Sequence, residues 1–167
     1  MRGVSAEQTL SVIKNLGFTD IVSIPDGESR HLYQALLDDP EIEVYLPTRE
    51  GEGIAIAAGL WVGGRRPLVL LQNTGLMEAG DALRGCGIGP SIPLLLLVGW
   101  RGYPGAMAGS VPIDSAYPYT EPLLDAWGVS HRRLMSDEDL GVIGEMAAKA
   151  EESSQPAAVL YGYGFRR

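Results

Sequence analysis

Residues 67–76 read Pro-Leu-Val-Leu-Leu-Gln-Asn-Thr-Gly-Leu. The strand predicted over Pro67 to Gln72 is apolar up to its last residue, so it has no solvent face and belongs in the middle of a sheet covered on both sides. Residues 93–98, Pro-Leu-Leu-Leu-Leu-Val, form a second run of the same kind. Strands buried on both faces are the habit of parallel sheets, whose crossover helices occupy the two faces. The pair therefore predicts the α/β class.

Working outward from these strands, helical and strand-like segments alternate. Toward the N-terminus, Ser5 is placed to cap a helix running to about Asn15, and Gly17 to stop it. A strand over Ile21 to Ile24 is broken by Pro25-Asp26-Gly27. A helix from about Glu28 to Leu37 ends before Pro40. Then come a strand over Ile42 to Leu46 and a helix from Gly51 to about Val62, closed by Gly63-Gly64. A further helix over Leu76 to Leu83 lies between the two central strands. Beyond Val98, the stretch Gly99 to Pro118 is rich in Gly, Pro and Tyr and has no periodicity, which marks a functional loop or partner-covered surface inside the domain. A short helix near Glu121 to Trp127, a strand near Ser130 to Leu134, a helix over Asp137 to Glu151 capped by Ser136 and a last strand over Ala157 to Tyr161 follow. Residues 1–167 are thus expected to form one three-layer αβα domain around a six-stranded, mainly parallel sheet.

The composition narrows the function classes. The chain has 167 residues, 46% of them hydrophobic, and a net charge of −8, which suits one soluble domain with a sizeable core and argues against a nucleic-acid footprint. The lone Cys86 cannot form an internal disulfide, so a reducing, cytoplasmic location is expected. The N-terminus with Arg2 has no apolar stretch of signal-peptide length, and no apolar run reaches the roughly 18 residues of a membrane span.

Ligands of open parallel sheets bind outside the carboxyl ends of the strands. The residues to weigh there are Asp26-Gly27, Arg49-Glu50-Gly51, Gln72-Asn73-Thr74-Gly75 and Trp100-Arg101-Gly102. Strand-to-helix turns need such residues for caps and positive φ in any case. The segment Glu50-Gly-Glu-Gly-Ile-Ala-Ile-Ala-Ala-Gly59 carries the most information. It sets a carboxylate at the mouth of a helix of very small residues, which lets that helix pack close to a neighbouring backbone. Read structurally, Glu50 is a first-turn acid favoured by the helix dipole and Glu52 an exposed one.

The chain resembles the pyrimidine-binding domains of thiamine-diphosphate enzymes, and within them the alpha subunits of sulfopyruvate decarboxylase and the matching half of phosphonopyruvate decarboxylase. The resemblance rests on Thr48-Arg49-Glu50-Gly51-Glu52-Gly53 with Ala57-Ala58-Gly59, on Leu71-Gln72-Asn73-Thr74-Gly75-Leu76, and on the run from Pro93 to Gly99. It extends to Pro25-Asp26 and Leu32-Tyr33, and so covers most of residues 20 to 135 in order. It implies a thiamine-diphosphate-binding fold and places Glu50 against N1′ of the aminopyrimidine, where a carboxyl promotes the tautomer that removes the C2 proton. Pro25, Asn73, Thr74 and Gly75 would border the cofactor. Asp26, Arg30 and Arg101 would meet the substrate, since Arg suits a carboxylate paired with a sulfonate or phosphonate.

The family's other half normally carries Gly-Asp-Gly and a later Asn for the diphosphate and Mg2+. Only Pro25-Asp26-Gly27 comes near it, without the leading glycine, so no metal site is expected on this chain. The resemblance therefore implies a beta-type partner subunit that binds Mg2+, self-association as a dimer or higher, a small 2-oxo acid substrate, and neither nucleic acid nor membrane as partner. His31 and His131 read as helix surface and structural residue. Gly85-Cys-Gly-Ile-Gly-Pro90 ends a helix instead of starting one and is discounted as a dinucleotide loop. Two other readings remain open: a Rossmann-like nucleotide-binding enzyme using Gly51-Glu52-Gly53, whose expected third glycine is Ile56, and a non-catalytic assembly module.

Overall fold

The computed structural model describes residues 3–110 and 114–167. Arg2 and part of the Gly99 to Pro118 stretch, residues 111–113, lie outside the described residues. The strands are β1 (Val4–Ser5), β2 (Asp20–Ser23), β3 (Glu43–Tyr45), β4 (Pro67–Gln72), β5 (Leu95–Gly99), β6 (Ser130–Leu134), β7 (Ala157–Tyr161) and β8 (Phe165–Arg166). Six of them form one sheet in the order β3-β2-β4-β5-β7-β6, with every pairing parallel.

The apolar runs at the centre behave as their sequence requires. Leu68 and Leu70 of β4 and Leu95 and Leu97 of β5 enter the core on one face, whereas Val69, Leu71, Leu96 and Val98 enter the core on the other. Alternation is present, but both of its sides are buried, so the sequence shows a continuous apolar run.

The first face is covered by α1 (Ala6–Asn15), α2 (Arg30–Asp38) and α8 (Gly141–Ser153), which contribute Ile13, Leu32, Leu36, Ile143 and Met146. The second is covered by α3 (Glu50–Val62), with Ile54, Ala57 and Ala58, and by α4 (Asn73–Glu78), α5 (Gly80–Ala82) and α7 (Thr120–Ala126). The three-layer arrangement is the expected one. The Ser5 side chain accepts a hydrogen bond from the Gln8 amide at 3.3 Å, and Ser136 forms a capping box with Asp139.

Four features depart from the sequence reading. The helix expected over Leu76 to Leu83 begins at Asn73, breaks at Ala79 and continues through a π-helical turn, Leu83–Ile88, whose glycines tolerate the widened backbone. The helix expected from Asp137 starts as a 3₁₀ turn, Asp137–Asp139. The stretch after β5 contains α6 (Tyr103–Met107) and a stacked cluster in which the Trp100 and Tyr117 ring centroids lie 5.3 Å apart and Trp100 Nε1 donates to the Tyr117 carbonyl at 3.1 Å. Finally, β1 and β8 pair in parallel as a separate ribbon, Val4 opposite Phe165. Two residues per strand are too short to leave a periodic signal.

The sheet order fixes where a ligand can sit. From β2 the chain crosses over α2 to β3 at the sheet edge, then returns over α3 on the other face to β4 on the far side of β2. The connections of adjacent strands β2 and β4 thus leave in opposite directions, and a crevice opens outside their carboxyl ends.

Candidate functional site

Glu50 is the first residue of α3 and lines that crevice with Val22, Ser23, Ile24, Pro47, Gly53 and Val69. The helix N-terminus is satisfied without it. Glu78, at the end of α4, accepts the Gly51 amide at 2.8 Å and pairs with Arg49 at 3.0 Å. Glu52, in the same first turn, accepts both the Thr48 amide at 2.7 Å and the Thr48 hydroxyl at 2.8 Å, which holds its carboxyl below the usual range. Glu52 therefore closes the helix start, a role beyond the plain exposed acid of the sequence reading. Glu50 is half-buried and has no hydrogen-bond or ion-pair partner among the described residues.

The Glu50 side chain lies over Gly75. A methyl group added at Gly75 would stand 2.7 Å from the carboxyl carbon of Glu50, so this position accepts only glycine while Glu50 keeps its place. Gly53 has a milder version of the same constraint, its missing methyl falling 3.2 Å from Pro47 Cγ. The glycines of α3 meet side chains and not the neighbouring backbone that the sequence suggested: Gly53 faces Pro47 and Val22, and Gly59 has nothing within 4 Å.

Asn73, one residue after β4, is fully buried. Its amide donates to the Arg101 carbonyl and to the Thr120 hydroxyl, both at 3.2 Å, and its oxygen accepts the Thr74 amide at 3.1 Å. Asn73 thus ties the ends of β4 and β5 to the start of α7, with no polar group left over. Thr74 is exposed, its hydroxyl donating to the Gln72 side chain at 2.8 Å, and Pro25 is exposed after β2.

Of the substrate-side candidates only Arg30 lines a second opening, and Asp26 and Arg101 line neither it nor the crevice of Glu50. Asp26 accepts the amides of Glu28 and Ser29 at 2.6 and 2.9 Å, which fixes the turn into α2. Arg101 is exposed and pairs with Asp114 at 3.4 Å. Arg30 is exposed, with a guanidinium nitrogen 3.4 Å from His31 Nε2, and the two line a cleft of about 250 Å³ with Gly27, Glu28, Pro104 and Tyr163. Arg30 does not line the crevice of Glu50. His131 faces Glu121 and Asp125 at 3.8 and 3.9 Å, in keeping with a structural role.

Glu28 was missed by the sequence reading. Burial, reinforced by the neighbouring charges of Asp26 and Asp114 and opposed by Arg101, pushes its carboxyl up to about 7. The only signal in the sequence was an acid two residues from Asp26, and such pairs are usually solvated.

Among the described residues no three His, Cys, Asp or Glu side chains cluster as metal ligands, and no helix is long and apolar enough to cross a membrane. A carboxylate unpartnered among the described residues, at a switch-point crevice and over a glycine that leaves it room, suits a ring nitrogen of a cofactor pressed against it.

Residues 5–117 match the thiamine pyrophosphate enzyme N-terminal TPP binding domain. Sulfopyruvate decarboxylase of Methanosarcina acetivorans is 28% identical over 92% of this chain, which spans 39% of that relative's length. Sulfopyruvate decarboxylase subunit alpha of Methanothermobacter thermautotrophicus is 30% identical over 96% of both chains. In structure, the thiamine diphosphate-dependent 4-hydroxybenzoylformate decarboxylase of Rhodococcus jostii superposes with a TM-score of 0.76 at 20% identity, over 95% of this chain and 30% of the other. With more than half its length inside the family's profile, this chain belongs to the thiamine pyrophosphate enzymes, as their N-terminal TPP-binding domain.

Proposed function

We propose that this chain is the alpha-type subunit of a cytoplasmic thiamine-diphosphate-dependent decarboxylase that acts on an acidic 3-substituted pyruvate, converting sulfopyruvate to sulfoacetaldehyde. Phosphonopyruvate is the second candidate. The observation that carries the reading is Glu50, a carboxylate without a hydrogen-bond or ion-pair partner among the described residues, held over Gly75 at the β2/β4 switch point.

Thiamine diphosphate, when bound, supplies the electron sink that a 2-oxo acid needs in order to lose carbon dioxide. Glu50 holds a proton at N1′ of the aminopyrimidine ring, and Gly75, Thr74 and Pro25 form the wall beside it. Asn73 positions that wall, because its amide is spent on Arg101 and Thr120. Arg30 and Arg101 supply the cations that a substrate with two acidic groups requires, and Asp26 holds the turn that carries Arg30.

Within one chain the crevice beside Glu50 encloses about 10 Å³, room for about one water. A cofactor there needs a second surface to close over it. We assign that surface, with the diphosphate and Mg2+ ligands, to a beta-type partner subunit carrying the Gly-Asp-Gly motif that this sequence lacks. Leu46, Trp61 and Val62 are exposed at the end of β3 and of α3, which suits an assembly of at least two copies of each chain.

The test is reconstitution with that partner, thiamine diphosphate and Mg2+, followed by carbon dioxide release from sulfopyruvate and from phosphonopyruvate. Turnover by the mixture and by neither chain alone supports the reading. No turnover of either acid refutes it.

A further inference from the structure

Two residues of α4 face the start of α3. Gly75 leaves the space in which the Glu50 side chain lies, and Glu78, three residues on and so on the same side of the helix, reaches the residues on either side of Glu50. Its Oε2 accepts the Gly51 amide at 2.8 Å, and its Oε1 pairs with Arg49 Nη2 at 3.0 Å. A methyl group added at Gly51 would stand 3.5 Å from Glu78 Oε2, from Arg49 Nη2 and from Ala82 Cβ, so the carboxylate, the guanidinium and the bare backbone meet in one place.

Helices usually begin with a Ser, Thr, Asp or Asn whose own side chain accepts an amide of the first turn. Here the residue before the helix is Arg49, extended at φ −152° and ψ 158°, and a guanidinium can only donate. The Gly51 amide therefore takes its acceptor from α4, 27 positions along the chain. The rest of the turn is held as well. Glu52 reaches back to the Thr48 amide and hydroxyl, and the Arg49 carbonyl accepts the Gly53 amide at 3.1 Å. Among the described residues only the Glu50 side chain is left without a bond in a turn that is otherwise tied down.

Stability is a poor reason for this arrangement. The Arg49 and Glu78 side chains are 67% and 39% exposed, and water screens such a pair until it contributes little. What the pair fixes is direction. A turn about either backbone bond of Glu50 moves Arg49 or Gly51 relative to Glu78 and stretches one of the two bonds. The Cα–Cβ bond of Glu50 is thereby aimed over Gly75, although the carboxyl has no hydrogen bond of its own to hold it there. The helix that supplies the clamp is anchored in turn, because Asn73 at its start is bonded to the Arg101 carbonyl and the Thr120 hydroxyl. Glu50 is thus referred to the carboxyl edge of the sheet through α4.

We propose that Glu78 is the positioning residue of Glu50: its carboxylate clamps Arg49 and Gly51 and so holds the Glu50 carboxyl in place over Gly75. This role rests on the assignment of Glu50 under the decarboxylase reading. Glu78 itself exchanges no proton with the cofactor and acts through Glu50 alone. Misplacement of a reacting group by about 1 Å costs on the order of 10²-fold in rate, so a loosened Glu50 shows in the rate of cofactor activation and leaves cofactor affinity where it was.

The clamp is read first in the full chain alone, by amide hydrogen exchange. The Gly51 amide is expected to exchange about 10-fold faster in Glu78→Ala than in wild type, and close to the wild-type rate in Glu78→Gln, whose side-chain oxygen still accepts it. In the complex with the partner subunit and saturating thiamine diphosphate, deuterium exchange at C2 is expected to slow by about 10–10²-fold in Glu78→Ala with an unchanged cofactor Kd, and to recover for the most part in Glu78→Gln. In a Glu50→Gln background, Glu78→Ala is expected to slow exchange no further, whereas a general loosening of the domain would multiply the two losses. Should Glu78→Ala not fold, Glu78→Asp, which falls one carbon short of Gly51, takes its place in each measurement. Gly51 exchange unchanged in Glu78→Ala, C2 exchange at the wild-type rate in that variant, Glu78→Gln as slow as Glu78→Ala, or losses that multiply overturn the proposal and leave the decarboxylase reading standing. A wild-type complex that exchanges no C2 proton and turns over neither acid refutes the decarboxylase reading, and the catalytic use of the clamp with it.

Discussion

Gly75→Ala separates the fold from the site more sharply than most substitutions can. Gly75 lies inside α4, outside the positive-φ region, so alanine there is compatible with the helix and favours it by about 0.8–1 kcal/mol. Opposing this, the new methyl would stand 2.7 Å from the Glu50 carboxyl carbon, against an ordinary contact of at least 3.4 Å. Relief requires the Glu50 side chain to swing away by roughly 1 Å, and misplacement on that scale costs on the order of 10²-fold in rate. Because Glu50 is half-buried and bonded to nothing among the described residues, the swing breaks no hydrogen bond. The variant is expected to unfold in urea at the wild-type midpoint or slightly above it, while turnover in the reconstituted complex falls about 10²-fold. A variant that turns over at the wild-type rate, or one that no longer folds, refutes the reasoning.

Glu52→Gln is expected to lower the melting temperature slightly, because the two bonds from Thr48 lose a charged acceptor, and to leave turnover nearly intact; a large loss of turnover would mean that the acid assigned to Glu50 sits two residues later. The Glu28 carboxyl is raised in the folded chain, so its contribution to stability is full below the ordinary carboxylate range and is lost as pH rises through about 7. Chemical denaturation should therefore show wild type weakening between pH 5 and 7 relative to Glu28→Gln; parallel curves for the two would contradict the assignment. The isolated chain is expected not to bind thiamine diphosphate at submicromolar concentration, and calorimetry showing such binding would place the diphosphate anchor on this chain.

The sequence made the layers legible because both faces of β4 and β5 are buried, leaving unbroken runs that only a covered parallel sheet explains. It made Glu50 visible for a different reason: residues Thr48 to Gly53 resemble the family's motif, whereas read structurally Glu50 is an ordinary first-turn acid. It hid the roles of Asn73 and Glu78. Asn73 reads as an ordinary turn residue, and its two long-range bonds join it to residues 28 and 47 positions away. Glu78 reads as a solvated helix acid, although it closes α3 from 27 positions away. Glu28 was hidden for the same reason, since its environment is built by Gly99, Tyr161 and Phe165 from distant strands. Short-range pattern reports which face of an element is buried; it carries no record of which polar groups the sheet order later brings together.

The central claim is that Glu50 is the acid that activates the cofactor, and deuterium exchange at C2 of thiamine diphosphate in the reconstituted complex tests it most directly. Glu50→Gln keeps the size and hydrogen bonding of the side chain and removes only its acidity, so exchange is expected to slow by about 10²–10⁴-fold with the fold unchanged. Exchange at the wild-type rate in Glu50→Gln would contradict it.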